Sequence, residues 1–175
     1  MVIEVEVRSF ISKERYDDLI EFFTHNAKLQ KEDYQETFYF DGKDDLRIQR
    51  NNFYAKIWLK KGKIHDEQRE EIEIKCDRSE FEKLEKLFLA LSFTVKIKWF
   101  RNRMEFDWKG LTVCLDFTKG YGYIIELEKM CSPSEQEQEL ENIKQQLQAL
   151  NIPLTPRDEF DQKYQYYKEH WRSLV

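Results

Sequence analysis

Again and again along this chain, charged and apolar residues alternate one for one. That period of two makes each such segment a strand with two unlike faces. In IEVEVRSF (3–10), Glu4, Glu6 and Arg8 lie on one side and Ile3, Val5 and Val7 on the other. Lys56, Trp58 and Lys60 oppose Ile57 and Leu59; Glu71, Glu73 and Lys75 oppose Ile72 and Ile74; Glu126 and Glu128 oppose Ile125 and Leu127. Asp116 stands against Leu115 and Phe117, Arg47 against Ile48, and Arg101 and Arg103 share a face near Phe100 and Met104. An antiparallel sheet with one solvated face produces such alternation. Here, however, the rows are nearly pure acid or pure base, and Glu4/Glu6, Glu71/Glu73 and Glu126/Glu128 are like-charged pairs two residues apart. Such pairs are unfavourable unless something cationic lies between them.

The expected strands are 3–10, 35–41, 46–50, 53–60, 69–76, 93–107, 111–118 and 123–130, with DGKDD and WKG as hairpin-type turns. Helices fall between and after them. Ser12 caps one carrying Tyr16, Leu19, Ile20 and Phe23; Ser79 and Glu82 have capping-box spacing before Phe81, Leu84, Leu87, Phe88 and Leu91. Ser134 and Glu137 repeat that spacing before Leu140, Ile143, Leu147 and Leu150, and Pro153 and Pro156 stop this third helix. A last helix is expected over 158–171. Few helices and eight strands define an α+β chain. A half-solvated antiparallel sheet is one architecture for them; a closed eight-stranded antiparallel β-barrel is the other, and it would pack the apolar face outward against the helices and let the charged face line a lumen.

A chain of 175 residues suits a single domain, 1–175, and 41% hydrophobic residues can furnish its core. The formal charge of −5, from 29 basic and 34 acidic residues, argues against nucleic acid as a partner. Cys76, Cys114 and Cys131 have no zinc spacing and read as reduced, buried thiols of a cytoplasmic protein. No segment approaches a membrane span. A lumen with acids in one sector and bases in another suits a polyanion carrying divalent cations: Glu and Asp bind Mg²⁺ or Mn²⁺, and Arg and Lys take phosphate oxygens. Trp58, which shares its face with Lys56 and Lys60, could stack on an organic ring.

The motifs resemble a known family in order and spacing. EVEVR resembles the ExExK signature that opens CYTH domains, the triphosphate tunnel metalloenzymes, with Arg8 in place of Lys. LRIQR resembles the family's Leu-Arg-x-Arg strand, REEIEI its Arg-x-Glu-x-Glu strand and RNRMEF its Lys-x-Arg-x-x-Tyr strand. LDFTKGYGYIIELE resembles the closing block, and KYQYYKEHW the tail. This resemblance implies a triphosphate tunnel with Mg²⁺ or Mn²⁺ held by Glu4, Glu6, Glu126 and Glu128, assisted by Asp116. It implies Glu71 or Glu73 positioning the attacking water, and Arg8, Arg47, Lys60, Arg69, Arg101 and Arg103 gripping phosphate, with Lys163 closing the tunnel. Lys56 joins them as a substrate-binding residue from its place on the basic face.

The implied activity is hydrolysis of inorganic, thiamine or nucleoside triphosphate. The same ions also serve class IV adenylyl cyclases, and a non-catalytic polyphosphate- or nucleotide-binding module is the third alternative. Departures from the family pattern are Gln49 where a second Arg is expected, with Arg50 one residue off, and Tyr121-Gly122 where the family has Leu-Gly.

Overall fold

The computed structural model describes residues 3–60 and 71–175, and of Glu71 the backbone alone. Eight strands form one sheet: β1 (Ile3–Ile11), β2 (Lys28–Phe40), β3 (Asp45–Arg50), β4 (Ala55–Lys60), β5 (Glu71–Cys76), β6 (Val95–Trp108), β7 (Leu111–Thr118) and β8 (Gly122–Cys131). Four α-helices accompany them: α1 (Lys13–Asn26), α2 (Phe81–Ala90), α3 (Gln136–Ala149) and α4 (Arg157–Leu174). The strand order is β1-β8-β7-β6-β2-β3-β4-β5, and the ladders β1/β8, β7/β8, β2/β3, β3/β4 and β4/β5 are antiparallel.

That order is open. Among the described residues β1 spends its ladder on β8, β5 spends its ladder on β4, and no ladder joins β1 to β5, so the eight strands form an open sheet where a closed barrel was expected.

The chain divides into two compact units. The first comprises 1–32 and 102–167, the second 33–101 and 168–175, so β2, β6 and α4 each run through both.

In the first unit the apolar row of β1, Val5 and Val7, packs with Leu111, Val113 and Leu115 of β7 and with Ile125 and Leu127 of β8. Tyr16, Leu19 and Phe23 of α1 and Ile143 and Leu147 of α3 cover that sheet face. These are the stripes the helical spacing implied. Ser12 caps α1, its Oγ accepting from Arg15 N at 3.1 Å. The turn from β6 to β7 is two residues, Lys109 and Gly110, with φ of 54° and 73°. Both lie in the left-handed region, the twist that suits a tight hairpin, and Gly110 takes it without strain. After α3, two reciprocal bonds tie the chain back to β1: Phe10 N donates to Thr155 Oγ1 and Thr155 N to Ser9 Oγ, each at 2.9 Å.

The second unit has its own core of Phe38, Phe40, Ile48, Ala55, Phe81 and Phe88. Trp171 near the end of α4 anchors there by donating from Nε1 to Lys96 O at 2.8 Å.

Two caps differ from expectation. Asp77, not Ser79, receives the N–H at the entry to α2: its Oδ1 accepts from Ser79 N at 2.8 Å, opening a short 3₁₀ turn over Arg78–Glu80. Ser132 and Glu135, not Ser134 and Glu137, form the capping box before α3, with Pro133 at the first position of the turn. In both places a 3₁₀ turn precedes the α-helix, which displaces the cap two residues toward the N-terminus. Strand β2 also begins at Lys28, well before the expected residue 35. Its early residues, Lys28, Leu29 and Gln30, are all exposed, so no buried face imposes a period of two there.

Candidate metal and phosphate site

Antiparallel register decides which side chains share a face, because directly opposed residues point the same way. In the first unit Glu6 opposes Glu128, Arg8 opposes Glu126, and across the next ladder Thr112 opposes Glu128 and Cys114 opposes Glu126. One face of β1, β8 and β7 therefore collects Glu4, Glu6, Arg8, Glu126, Glu128, Cys114 and Asp116. Asp116 is 3% exposed and Glu126 8%, so a solvated face does not account for the charged residues of β7 and β8, whereas Glu4, Glu6 and Arg8 of β1 are exposed.

Carboxylate oxygens of Glu4, Glu6 and Glu128 all lie within 4.8 Å of one another. Burial, followed by the charge of Glu126, pushes the Glu6 carboxyl above its ordinary range. Burial together with a hydrogen bond to Glu126 raises Glu128 as well. Arg103 of β6 is spent elsewhere on this face. Its Nε and Nη2 donate to the two carboxylate oxygens of Asp116 at 2.8 and 2.7 Å, and Nη2 reaches Glu126 Oε1 at 3.1 Å. Burial would lower the Arg103 pKa, but Asp116 and Glu126 more than offset it and hold the guanidinium charged. Arg103 thus organises carboxylates, a use different from the phosphate grip the sequence suggested.

A divalent cation suits what remains. Glu4, Glu6 and Glu128 offer three hard oxygen donors that crowd one another, and a cation among them would discharge the repulsion.

In the second unit the same period-two logic collects cations. Tyr39 opposes Arg47, Arg47 opposes Trp58, Gln49 opposes Lys56, and Trp58 opposes Glu73. Lys56 Nζ and Lys60 Nζ each lie 4.0 Å from the Trp58 ring centre, and the Arg47 guanidinium carbon lies 5.1 Å from it. The ring's negative face is an attractive seat for such a cluster.

Asp45 grips Arg47, accepting from its Nε at 2.7 Å and from Nη2. Lys56 donates to Glu73 at 2.7 Å, and that bond, ahead of the charge of Lys56, holds the Glu73 carboxyl below its usual range. A carboxylate so held orients water better than it abstracts a proton. Arg101 donates from Nε at 3.0 Å and from Nη2 to Gln35 Oε1, while Gln35 Nε2 donates to Asp33 at 3.1 Å.

Register also resolves the substitution at the second Arg of the β3 motif. Gln49 holds the charged-face position, buried and donating to Thr37 Oγ1 at 2.9 Å. Arg50 points the other way, to Glu36 at 2.9 Å and to Glu82 of α2. No bulge returns Arg50 to the charged face.

Lys163 stands apart from the carboxylate row, on α4, exposed, 4.3 Å from the Phe10 ring centre and 3.9 Å from Glu159. Arg8, also exposed, sits over the Phe160 ring at 5.1 Å. Arg69 lies outside the described residues, and of Glu71 only the strand position, opposite Lys60, is described. Sequence reasoning missed Asp45 and Gln35. Asp45 shares the face of Arg47, two residues along its strand, and the same alternation could have flagged it; Gln35 has no such neighbour among the predicted site residues of its strand.

The first unit thus carries a carboxylate cluster that could hold a metal ion, and the second a cluster of cations. Residues 2–164 match the CYTH domain family model, and the chain belongs to the CYTH family. Proteins of this family are metal-dependent, bind triphosphates in a barrel-like fold and are generally enzymes, triphosphatases or cyclases.

Solved structures agree on the fold. A conserved hypothetical protein from Pyrococcus furiosus is 22% identical with a TM-score of 0.68, over 89% of this chain and 96% of that one. A protein from Pyrococcus horikoshii is 24% identical with a TM-score of 0.67, over 89% and 94%. A candidate adenylate cyclase from Bacillus halodurans is 20% identical with a TM-score of 0.61, over 88% and 92%. No curated protein matches the chain. Among the described residues no helix is long and apolar enough to cross a membrane.

Proposed function

We propose that this protein is a divalent-metal-dependent triphosphatase of the cytoplasm, acting on inorganic triphosphate or on an organic triphosphate such as that of thiamine or a nucleoside. The observation that carries the proposal is the triad Glu4, Glu6 and Glu128, with carboxylate oxygens within 4.8 Å of one another and two of the carboxyls holding their protons unusually tightly.

In this reading Glu4, Glu6 and Glu128, with Glu126 and Asp116 behind them, hold Mg²⁺ or Mn²⁺. The ion when bound neutralises phosphate charge and polarises water. Arg103 fixes the carboxylates of Asp116 and Glu126 in direction. Arg8, Arg47, Lys56, Lys60 and Arg101 bind phosphate oxygens, with Arg69 and Lys163 in the same role, and the charge they supply is what phosphoryl transfer chiefly asks of a protein. Glu73, kept ionised by Lys56, orients the attacking water, with Glu71 as its neighbour on the strand.

Phosphate release from inorganic triphosphate, ATP and thiamine triphosphate, with each metal, tests this directly. Metal-stimulated release from at least one substrate is expected, falling by at least about 100-fold in Glu6→Gln with the fold intact. If every substrate survives, the hydrolase is excluded. The likeness to a candidate adenylate cyclase favours one second reading, cyclisation of ATP, which cyclic nucleotide and pyrophosphate among the products would establish.

A further inference from the structure

Cys114 occupies a place that neither the core nor the proposed triphosphatase explains. Its neighbours on β7, Val113 and Leu115, point into the apolar core, and so, elsewhere, does the buried Cys131. Cys114 points the opposite way, onto the charged face, directly across the ladder from Glu126. The side chain is 1% exposed. Among the described residues its thiol has no hydrogen-bond partner. Its sulfur and the carboxylate oxygens of Glu126 and Glu128 lie within 4.8 Å of one another.

A hydrophobe would fill this position without an unpartnered polar atom, and threonine serves at Thr112 and Thr118, two and four positions away on the same face. We propose that Cys114, Glu126 and Glu128 form a second cation site, selective for a thiophilic divalent ion such as Cd²⁺ or Zn²⁺, which antagonises the hard cation at Glu4, Glu6 and Glu128. Mg²⁺ demands oxygen donors and gains nothing from sulfur, whereas one thiolate with two carboxylates is a ligand set that borderline and soft ions accept. On binding, the S–H proton passes to solvent and a metal–sulfur bond takes its place. Glu128 belongs to both sets, so filling the sulfur site withdraws a ligand from the other. The antagonism rests on the function proposed for Glu128; the binding itself does not.

The test is optical and needs no substrate. Cd²⁺ titrated into the reduced protein should produce the ultraviolet sulfur-to-cadmium charge-transfer band at one equivalent. Cys131→Ser should keep the band. Cys114→Ser should abolish it and weaken cadmium binding at least about tenfold by calorimetry. Cadmium NMR of the unmutated protein guards against misfolding of that variant, because a sulfur-ligated ion resonates far downfield of an all-oxygen one. A band that survives Cys114→Ser, or a resonance in the all-oxygen region, overturns the site. Inhibition of Mg²⁺-dependent phosphate release by Cd²⁺ in the parent but not in Cys131→Ser would overturn it too, since the inhibition would then belong to another thiol.

Discussion

The charged faces of the two units follow one sequence rule and solve opposite problems. In the first, Glu4, Glu6, Glu126, Glu128 and Asp116 crowd together, Arg103 binds Asp116 and Glu126, and the carboxyls of Glu6 and Glu128 are pushed above their ordinary range. In the second, Arg47, Lys56 and Lys60 crowd together, and the Trp58 ring seats all three while Asp45 and Glu73 each engage one. An acid can relieve crowding by taking up a proton near neutral pH, but Arg and Lys cannot readily shed theirs, and a π face is the alternative. The same alternation thus builds a face that awaits a cation and one that awaits an anion.

The largest effect should come from the arginines two residues apart on β6. Arg103→Met leaves two buried carboxylates without their counter-ion and should cost about 3–5 kcal/mol. Arg101→Met removes bonds to a neutral amide and should cost about 1 kcal/mol. Urea unfolding of the two variants measures both, and equal losses would erase the distinction between the faces.

Acidity should separate the faces next. Raised carboxyl pKa values in the first unit mean that the fold prefers Glu6 and Glu128 protonated. Their contribution is fully present below the ordinary glutamate value of 4.5 and is lost as pH rises through the raised values. Glu73 has the opposite sign: its contribution is present above 4.5 and lost as pH falls through its lowered value. Melting temperature recorded against pH should therefore show Mg²⁺ stabilising the protein more as pH rises above 4.5. Glu128→Gln should flatten that metal-dependent rise, and Glu73→Gln should leave it in place.

The smallest effect expected is that of Trp58→Leu. Each cation–π contact at a partly exposed site contributes roughly 0.5–1 kcal/mol, so stability should fall modestly. The variant sharpens the comparison through substrate affinity: the KM for triphosphate should rise while kcat changes little, as befits a residue that seats cations without touching the reaction.

Period two made the strand faces legible, from Glu4 to Glu128, because burial on one side punishes any slip of register. Helical stripes were equally plain in Leu19 and Phe23 and in Ile143 and Leu147. What failed had local causes. The caps moved to Asp77 and Ser132 because a 3₁₀ turn and an α-turn look alike in sequence. The start of β2 was invisible because nothing there is buried. Sheet closure depends on whether the first strand meets the fifth, which no local pattern encodes. Within the site, charge identified the carboxylates, but which partner each base takes, Asp116 for Arg103 against Gln35 for Arg101, is set by register across strands. Cys114 reads from sequence as a buried thiol, and it is buried, but that its thiol faces the charged side follows only from its register opposite Glu126.

The pairing of β1 with β8 carries a consequence for how this chain is made. Strand β1 leaves the ribosome well before its partner at Gly122–Cys131 and its latch at Thr155. At ordinary synthesis rates that is roughly ten seconds of waiting. For that interval the strand is an unpaired β-edge with Ile3, Val5 and Val7 on one side. Glu4, Glu6 and Arg8, interleaved with them, act as gatekeepers against its adding to another nascent chain. The carboxylates assigned to metal thus have earlier work as guards against aggregation, and replacing all three charges would be felt first in the yield of soluble protein.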